Sequence, residues 1–223
     1  VCMNESLTID WQGESLQLLA DRAVFWAKEK TIYIADTHFG KAATFRKVGI
    51  PVSEHTTMED CQRLSKLIDD TRAEKLVFLG DFLHARAGRS QPVRNLLFNW
   101  RDQYQELSID LVRGNHDLQS GDPWPELGIT CLPDPTPSKK NTWELRHLPP
   151  DDDVERPFLA GHLHPGYRLH GKGRDSLRCP CWVVSEKRII LPAFGSFTGL
   201  KNIKHELDDT IFLTNGREIQ ELG

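Results

Sequence analysis

The stretch Lys75-Leu76-Val77-Phe78-Leu79-Gly80-Asp81-Phe82-Leu83-His84 reads as a buried strand that stops abruptly at Gly-Asp. Leu76 to Leu79 form a continuous apolar run, as expected for a strand covered on both faces. Gly80 then lets the backbone turn, and Asp81 emerges at the strand's C-terminal end. In open α/β sheets that end is where ligands bind. A single Asp after a strand is common in loops, but here three more strand-like runs end in Asp, His or Asn. The working hypothesis is that Asp81 is a carboxylate shared by two metal ions and that the other strand ends converge on it.

Working outward, Ser15–Leu19, Ala23–Trp26 and Thr31–Ala35 are short apolar or β-branched runs, with Lys28-Glu29-Lys30 as a polar turn between the last two. The third run ends in Asp36-Thr37-His38, where two side chains two residues apart can point into one site. Phe39 to Val52 reads as a loop carrying Lys41, Arg46 and Lys47. Thr56 and Glu59 have capping-box spacing. Cys61, Leu64, Leu67 and Ile68 then share a helical face. Strand, helix and strand in succession predict a parallel pair with a right-handed crossover.

Beyond Asp81, a loop holds Arg86, Arg89 and Arg94, and Pro92 suits a first helical turn. Val93, Leu96, Leu97, Trp100, Tyr104 and Leu107 form a core-facing stripe. Ile109–Val112 is the next strand, ending in Arg113-Gly114-Asn115-His116-Asp117. Residues 121–157 hold eight of the 13 prolines, so loops dominate there. Within them Thr142–His147 reads as a strand ending in His, and Asp151-Asp152-Asp153 as a solvated turn. Phe158-Leu159-Ala160 runs into Gly161-His162-Leu163-His164. Trp182–Val184, Arg188–Leu191, Thr210–Leu213 and Glu218–Gln220 read as strands, with Asn215-Gly216 as a hairpin turn.

The 223 residues suffice for one large domain spanning 1–223 with a sizeable core. Hydrophobic content of 39% and charged content of 27% are ordinary for a soluble globular protein. No apolar run approaches the ~20 residues of a membrane span, and no signal peptide is visible. Five scattered cysteines do not suggest a disulfide framework, so a cytoplasmic location is expected. Cys179-Pro180-Cys181 has no second cysteine pair to complete a metal clip and reads as a turn or strand in which the thiols pack. The net charge of −4 is not that of a polyanion binder, although local patches decide nucleic-acid binding.

The strand ends offer Asp, Asn and several His. Oxygen and imidazole donors without thiolate suit Mn²⁺, Fe or Zn²⁺ and not a Cys-rich structural zinc site. Two such metals ~3.5–4 Å apart, bridged by a carboxylate and a water, are a known solution for phosphate esters. The water's lowered pKa gives a hydroxide that attacks phosphorus in line with a leaving oxygen, which then needs a proton.

Asp36-Thr37-His38, Gly80-Asp81, Gly114-Asn115-His116-Asp117 and Gly161-His162-Leu163-His164 together resemble, in order, the blocks of the calcineurin-like metallophosphoesterase superfamily. The flanking Ile34–Lys41 and Leu191–Gly199 resemble its bacterial DNA-ligase-associated branch, which implies DNA processing beside a ligase and a helicase. The resemblance implies a four-layer α/β/β/α sandwich. It also implies Asp36, His38 and His164 on a first metal, Asn115, His147 and His162 on a second, and Asp81 bridging. His116 becomes a general acid oriented by Asp117. His84 is expected on phosphate or behind the metal ligands, and Arg86, Arg89 and Arg113 on substrate.

The expected activity is that of a binuclear phosphodiesterase, using Mn²⁺ and acting as an endonuclease on single-stranded DNA in repair. A small-molecule phosphoesterase, for a cyclic nucleotide or nucleotide-sugar, and a non-catalytic scaffold for repair enzymes are the alternatives. Lys41, Arg46 and Lys47, then Arg86, Arg89 and Arg94, then Arg168, Lys172, Arg174 and Arg178 are read as a basic rim for DNA. Phe194 and Phe197 are read chiefly as core, with base stacking as the other reading.

Overall fold

The computed structural model describes residues 5–222 apart from 48, 53–54, 139–141, 152–153, 172–174 and 204–205. Its first sheet opens as an antiparallel meander of β1 (Ser6–Trp11), β2 (Glu14–Leu19), β3 (Ala23–Trp26) and β4 (Thr31–Ile34). It continues in parallel through β5 (Lys75–Leu79), β6 (Ser108–Val112) and β7 (Ile129–Leu132). Helices α1 (Lys41–Lys47) and α2 (His55–Thr71) lie between β4 and β5, and α3 (Gln91–Gln103) between β5 and β6. The short α4 (Asn115–Ser120) follows β6.

The second sheet holds β8 (Thr136–Pro137), β9 (Glu144–Arg146), β10 (Phe158–Ala160), β11 (Pro165–His170), β12 (Ser176–Val184), β13 (Arg188–Ile190), β14 (Lys201–Asn202), β15 (Thr210–Thr214) and β16 (Ile219–Leu222). Its order is β14-β11-β12-β13-β10-β9-β8, with β15 on β12 and β16 on β15. Strands β9 and β13 flank β10 in parallel.

The apolar run of β5 is buried on both faces, as its continuity requires. Leu76 and Phe78 pack with Cys61, Leu64, Leu67 and Ile68 of α2 and with Val93, Leu97 and Trp100 of α3. Val77 and Leu79 turn the other way, to Trp143, Leu145, Leu159 and Trp182 of the second sheet. Each such side chain contributes roughly 1.5–3 kcal/mol on burial. The expected sandwich of two mixed sheets with helices is therefore present. Over the outer face of the second sheet, Phe158, Cys181, Ile190 and Ile211 pack with Tyr167, Leu169 and Ile203, and no described helix covers them.

The structure departs from expectation in several local places. Lys41–Lys47 is a helix, not a loop. Helix α2 begins at His55, so Thr56 lies inside it instead of capping it. Arg94 belongs to α3. Strands β7, β8, β11 and β14 have no counterpart among the strands read from the sequence. Cys179 and Cys181 are buried free thiols in β12, as expected. Asp151 is exposed, while Asp152 and Asp153 lie outside the described residues, as do Cys2, Lys172 and Arg174. No described helix is long and apolar enough to cross a membrane.

This topology positions the candidate site. Parallel β4, β5 and β6 bring their C-terminal ends to one edge of the first sheet. Parallel β9 and β10 do the same in the second. A bridge between Ala35 and Ala193 joins the sheets at that edge.

Candidate metal centre

Five of the seven candidate ligands have left-handed backbones: Asp36 (φ 55°), His38 (46°), Asp81 (54°), His162 (67°) and His164 (46°). Such a conformation costs a non-glycine residue roughly 1–3 kcal/mol and persists only when the surroundings impose it. Here the strand ends impose it. The Asp36 and His38 N–H groups donate to the carbonyls of Gly80 (3.2 Å) and Asp81 (2.9 Å), which carries the β4–β5 pairing past both strands. Gly80 itself sits at φ 82°, and a Cβ there would come within 2.0 Å of the His147 ring. A Cβ on Gly114 would lie 2.3 Å from Asp81 Oδ1. Both positions must be glycine for the ligands to approach one another.

The expected ligands converge in two groups. In the first, His164 Nε2 lies 3.3 Å from Asp36 Oδ1 and 3.4 Å from His38 Nε2. In the second, His147 Nε2 lies 3.0 Å from Asn115 Oδ1, 3.1 Å from His162 Nδ1 and 3.4 Å from Asp81 Oδ1. The other Asp81 oxygen faces the first group, 3.7 Å from His38 Nε2. Donor atoms at ~2.0–2.1 Å from one ion stand about 3.0–3.4 Å apart, which is the spacing seen.

The electrostatics agree with a cation in that space. Asp36 Oδ1 is buried and has no hydrogen-bond partner. Burial, with the neighbouring His164, His116, His84 and Lys41 charges, lowers the His38 pKa to about 2. Burial likewise lowers that of His162 and takes His84 down to about 4. Neutral imidazoles are the ligand form. His147, the candidate ligand pinned by no local motif, has Nδ1 3.0 Å from the Leu79 carbonyl. Donation there leaves the Nε2 lone pair facing its partners, a familiar way of fixing a ligand tautomer.

His116 lies beside the candidate ligands. Its Nε2 is 3.9 Å from Asp81 Oδ2, and its ring stacks on His84 with centroids 5.0 Å apart. Its Nδ1 bonds the His84 carbonyl at 2.5 Å. His84 Nδ1 in turn lies 3.4 Å from His38 Nδ1.

Contrary to the expectation that it orients the His116 ring, Asp117 turns its carboxylate to the backbone. Its carboxylate accepts the backbone N–H groups of Asp81 (2.8 Å), Phe82 (3.0 Å) and Gly114 (2.8 Å). Burial nevertheless raises its pKa to about 6.

The arginine rim is also different from its reading. Arg113 makes a two-pronged ion pair with Asp122, both contacts 2.7 Å. Arg94 pairs with Glu126 at 3.1 Å. Arg89 donates to the Asp122 carbonyl at 2.7 Å and stacks on Trp124. Arg86 donates to the Gln119 carbonyl at 3.1 Å and is exposed. The acidic partners, Asp122 and Glu126, come from the segment after α4. Of the third basic group, Arg168 and Arg178 face each other across β11 and β12. Phe194 is fully buried, but Phe197, expected in the core, is 38% exposed.

No protein-family profile matches the chain, and no curated protein does. Among solved structures, a nuclease MPE from Pseudomonas putida aligns with 97% of this chain and 100% of its own, at 35% identity and a TM-score of 0.84. Yfce, a phosphoesterase from E. coli, aligns with 86% of this chain and 97% of its own, at 12% identity and a TM-score of 0.42, a level that carries no weight.

Proposed function

This chain belongs to the metallophosphoesterase superfamily, the metal-dependent phosphoesterases, and from that premise we propose that it cuts single-stranded DNA internally, in repair, with two Mn²⁺ ions. The observation that carries the substrate is the likeness, over nearly the whole of both chains, to a protein that is named a nuclease. We assign Asp36, His38 and His164 to one metal, Asn115, His147 and His162 to the other, and Asp81 to both. The orphaned Asp36 oxygen and the facing imidazole nitrogens support that assignment. When bound, such a pair supplies a hydroxide near neutral pH and neutralises phosphate charge.

The chain's own residues do the rest. His147 is locked in its ligand tautomer by the Leu79 carbonyl, and Asp117 fixes the Asp81 backbone. His116, tethered through Nδ1 to the His84 carbonyl, presents Nε2 to give the leaving oxygen its proton. His84 packs against both His38 and His116, which also meet each other edge-to-face at 4.9 Å, and we assign it to contact with the substrate phosphate.

A second reading, hydrolysis of a small diester, gains from the pairing of Arg113 and Arg94 with acidic side chains, which leaves the rim less cationic than a DNA groove. Incubation of a circular single-stranded DNA with the protein and Mn²⁺ separates the two. Linearisation of the circle supports the DNA reading. An intact circle and an intact linear single strand, alongside hydrolysis of a nitrophenyl diester, move the assignment to small substrates; digestion of the linear strand alone excludes only the internal cut.

A further inference from the structure

Helix α1 and the segment after Leu191 meet beside the first metal group. Lys41 opens α1 directly after the His38 loop, its N–H donating to the His38 carbonyl at 3.1 Å. One turn on, Phe45 meets Phe197 with ring centroids 5.4 Å apart and planes at 76°. The Lys41 ammonium lies 5.9 Å from the Phe197 centroid.

The segment that carries Phe197 is braced. Phe194 N–H donates to the Ala35 carbonyl (2.8 Å), and Gly195 N–H to that of Asp36 (3.2 Å). Ser196 N–H donates to Asp60 at 3.0 Å. Arg63 joins Asp60 and the Phe194 carbonyl, 2.9 Å each, and its guanidinium covers the Phe194 ring. Gly195 is so close to the metal loop that a Cβ would approach the Thr37 carbonyl to 2.5 Å. Two residues reach at most roughly 7 Å, so Phe197 stands within one nucleotide's length of the metal loop.

A buried-core role does not describe this ring. Phe194 fills the core, whereas Phe197 keeps 38% of its surface open beside a half-buried lysine, on a segment tied down at three successive backbone N–H groups. We propose that Phe197, edge-to-face with Phe45 and flanked by Lys41, is the stacking platform for an unpaired base next to the scissile phosphate. The inference rests on the DNA reading above and deepens it. Every base has a π face, so the platform selects no sequence. In a duplex those faces are already stacked on one another, so the platform favours single strands. Lys41, beside the ring and the His38 loop, is placed for the phosphate that follows the stacked base.

The test compares three substrates: oligothymidylate, an oligomer of abasic nucleotides of equal length, and a small nitrophenyl diester. Stacking on one aromatic ring corresponds to roughly a 5- to 150-fold effect. The native protein should favour oligothymidylate over the abasic oligomer by such a factor. Phe197→Ala should erase that preference, and the ratio of kcat/KM for oligothymidylate to that for the diester should fall by the same factor, mostly through KM. Phe197→Trp should restore both. Equal cleavage of the two oligomers by the native protein, or a Phe197→Ala variant that keeps the preference, overturns the platform while leaving the DNA reading intact. Failure of the native protein on both oligomers, with the diester turned over, overturns the DNA reading and the platform with it.

Discussion

Asp117→Ala separates two roles for one carboxylate. Asp117 is 1% exposed and accepts three backbone N–H groups, those of Asp81, Phe82 and Gly114. Alanine leaves all three donors inside the protein without a partner. A buried unsatisfied donor costs about 1–3 kcal/mol, and water entry and relaxation of the short α4 offset part of the sum, so a loss of about 3–5 kcal/mol is expected. Asp117→Asn retains an acceptor oxygen but turns an amide N–H₂ toward at least one donor, for a loss of about 1–3 kcal/mol. The Asp81 backbone also loses its clamp, so metal affinity should drop in both variants. Urea unfolding of the metal-free proteins, with unchanged m-values, measures the first effect, and elemental analysis after dialysis measures the second. An Asp117→Ala protein as stable as its parent to within about 1 kcal/mol, with full metal content and a rate loss confined to poor leaving groups, would refute this reasoning. It would return Asp117 to the orientation of His116.

Asp81→Ala should abolish activity while the domain stays folded, and elemental analysis should find fewer than two ions per chain; two retained ions would contradict the bridging role. His116→Ala should keep both ions and lose roughly 10²–10⁴-fold on alkoxide leaving groups, but far less on a nitrophenyl ester, and equal losses on both would remove it as the acid. The metal-free protein should lose stability in acid. His38 and His84 have folded pKa values lowered from 6.5 to about 2 and about 4, so the unfolded chain binds more protons below pH 6.5, and stability falls as pH drops through that window. Urea midpoints at pH 7, 6 and 5 check this against the opposing pull of Asp117, raised by burial to about 6, and a rise in stability toward pH 5 would contradict it. DNA cleavage should weaken with salt by a slope of about −0.7 per phosphate contact, whereas a flat response in kcat/KM would favour a small substrate.

The candidate site is more legible in the sequence than its surroundings because its signals are local. Asp36, Asp81 and His162 each follow an apolar strand after one small residue; parallel pairing aligns the ends within each sheet, and the Ala35–Ala193 bridge brings the two sheets' ends together. His147 is readable only through its order among the blocks, since what fixes it is the carbonyl of Leu79, 68 residues away. Asp117 is misread for the same reason, two of its three donors being backbone groups of β5's exit loop, Asp81 and Phe82. The charge of the arginine rim is overcounted because Asp122 and Glu126 approach from another loop. Helix α1 leaves little trace in seven residues, and contacts made by Phe45 with Phe197 and by Gly40 with Thr57 help hold it. Strand β7 is hidden among prolines but is ordered by pairing with β6.

The most direct test of the two-metal centre is a crystal structure of the protein grown with Mn²⁺, with anomalous scattering used to locate the ions. Expected are two peaks ~3.5–4 Å apart, one within bonding distance of Asp36, His38 and His164, the other of Asn115, His147 and His162, with one Asp81 oxygen on each side. A single peak, or a pair of which Asp81 touches only one, would contradict it.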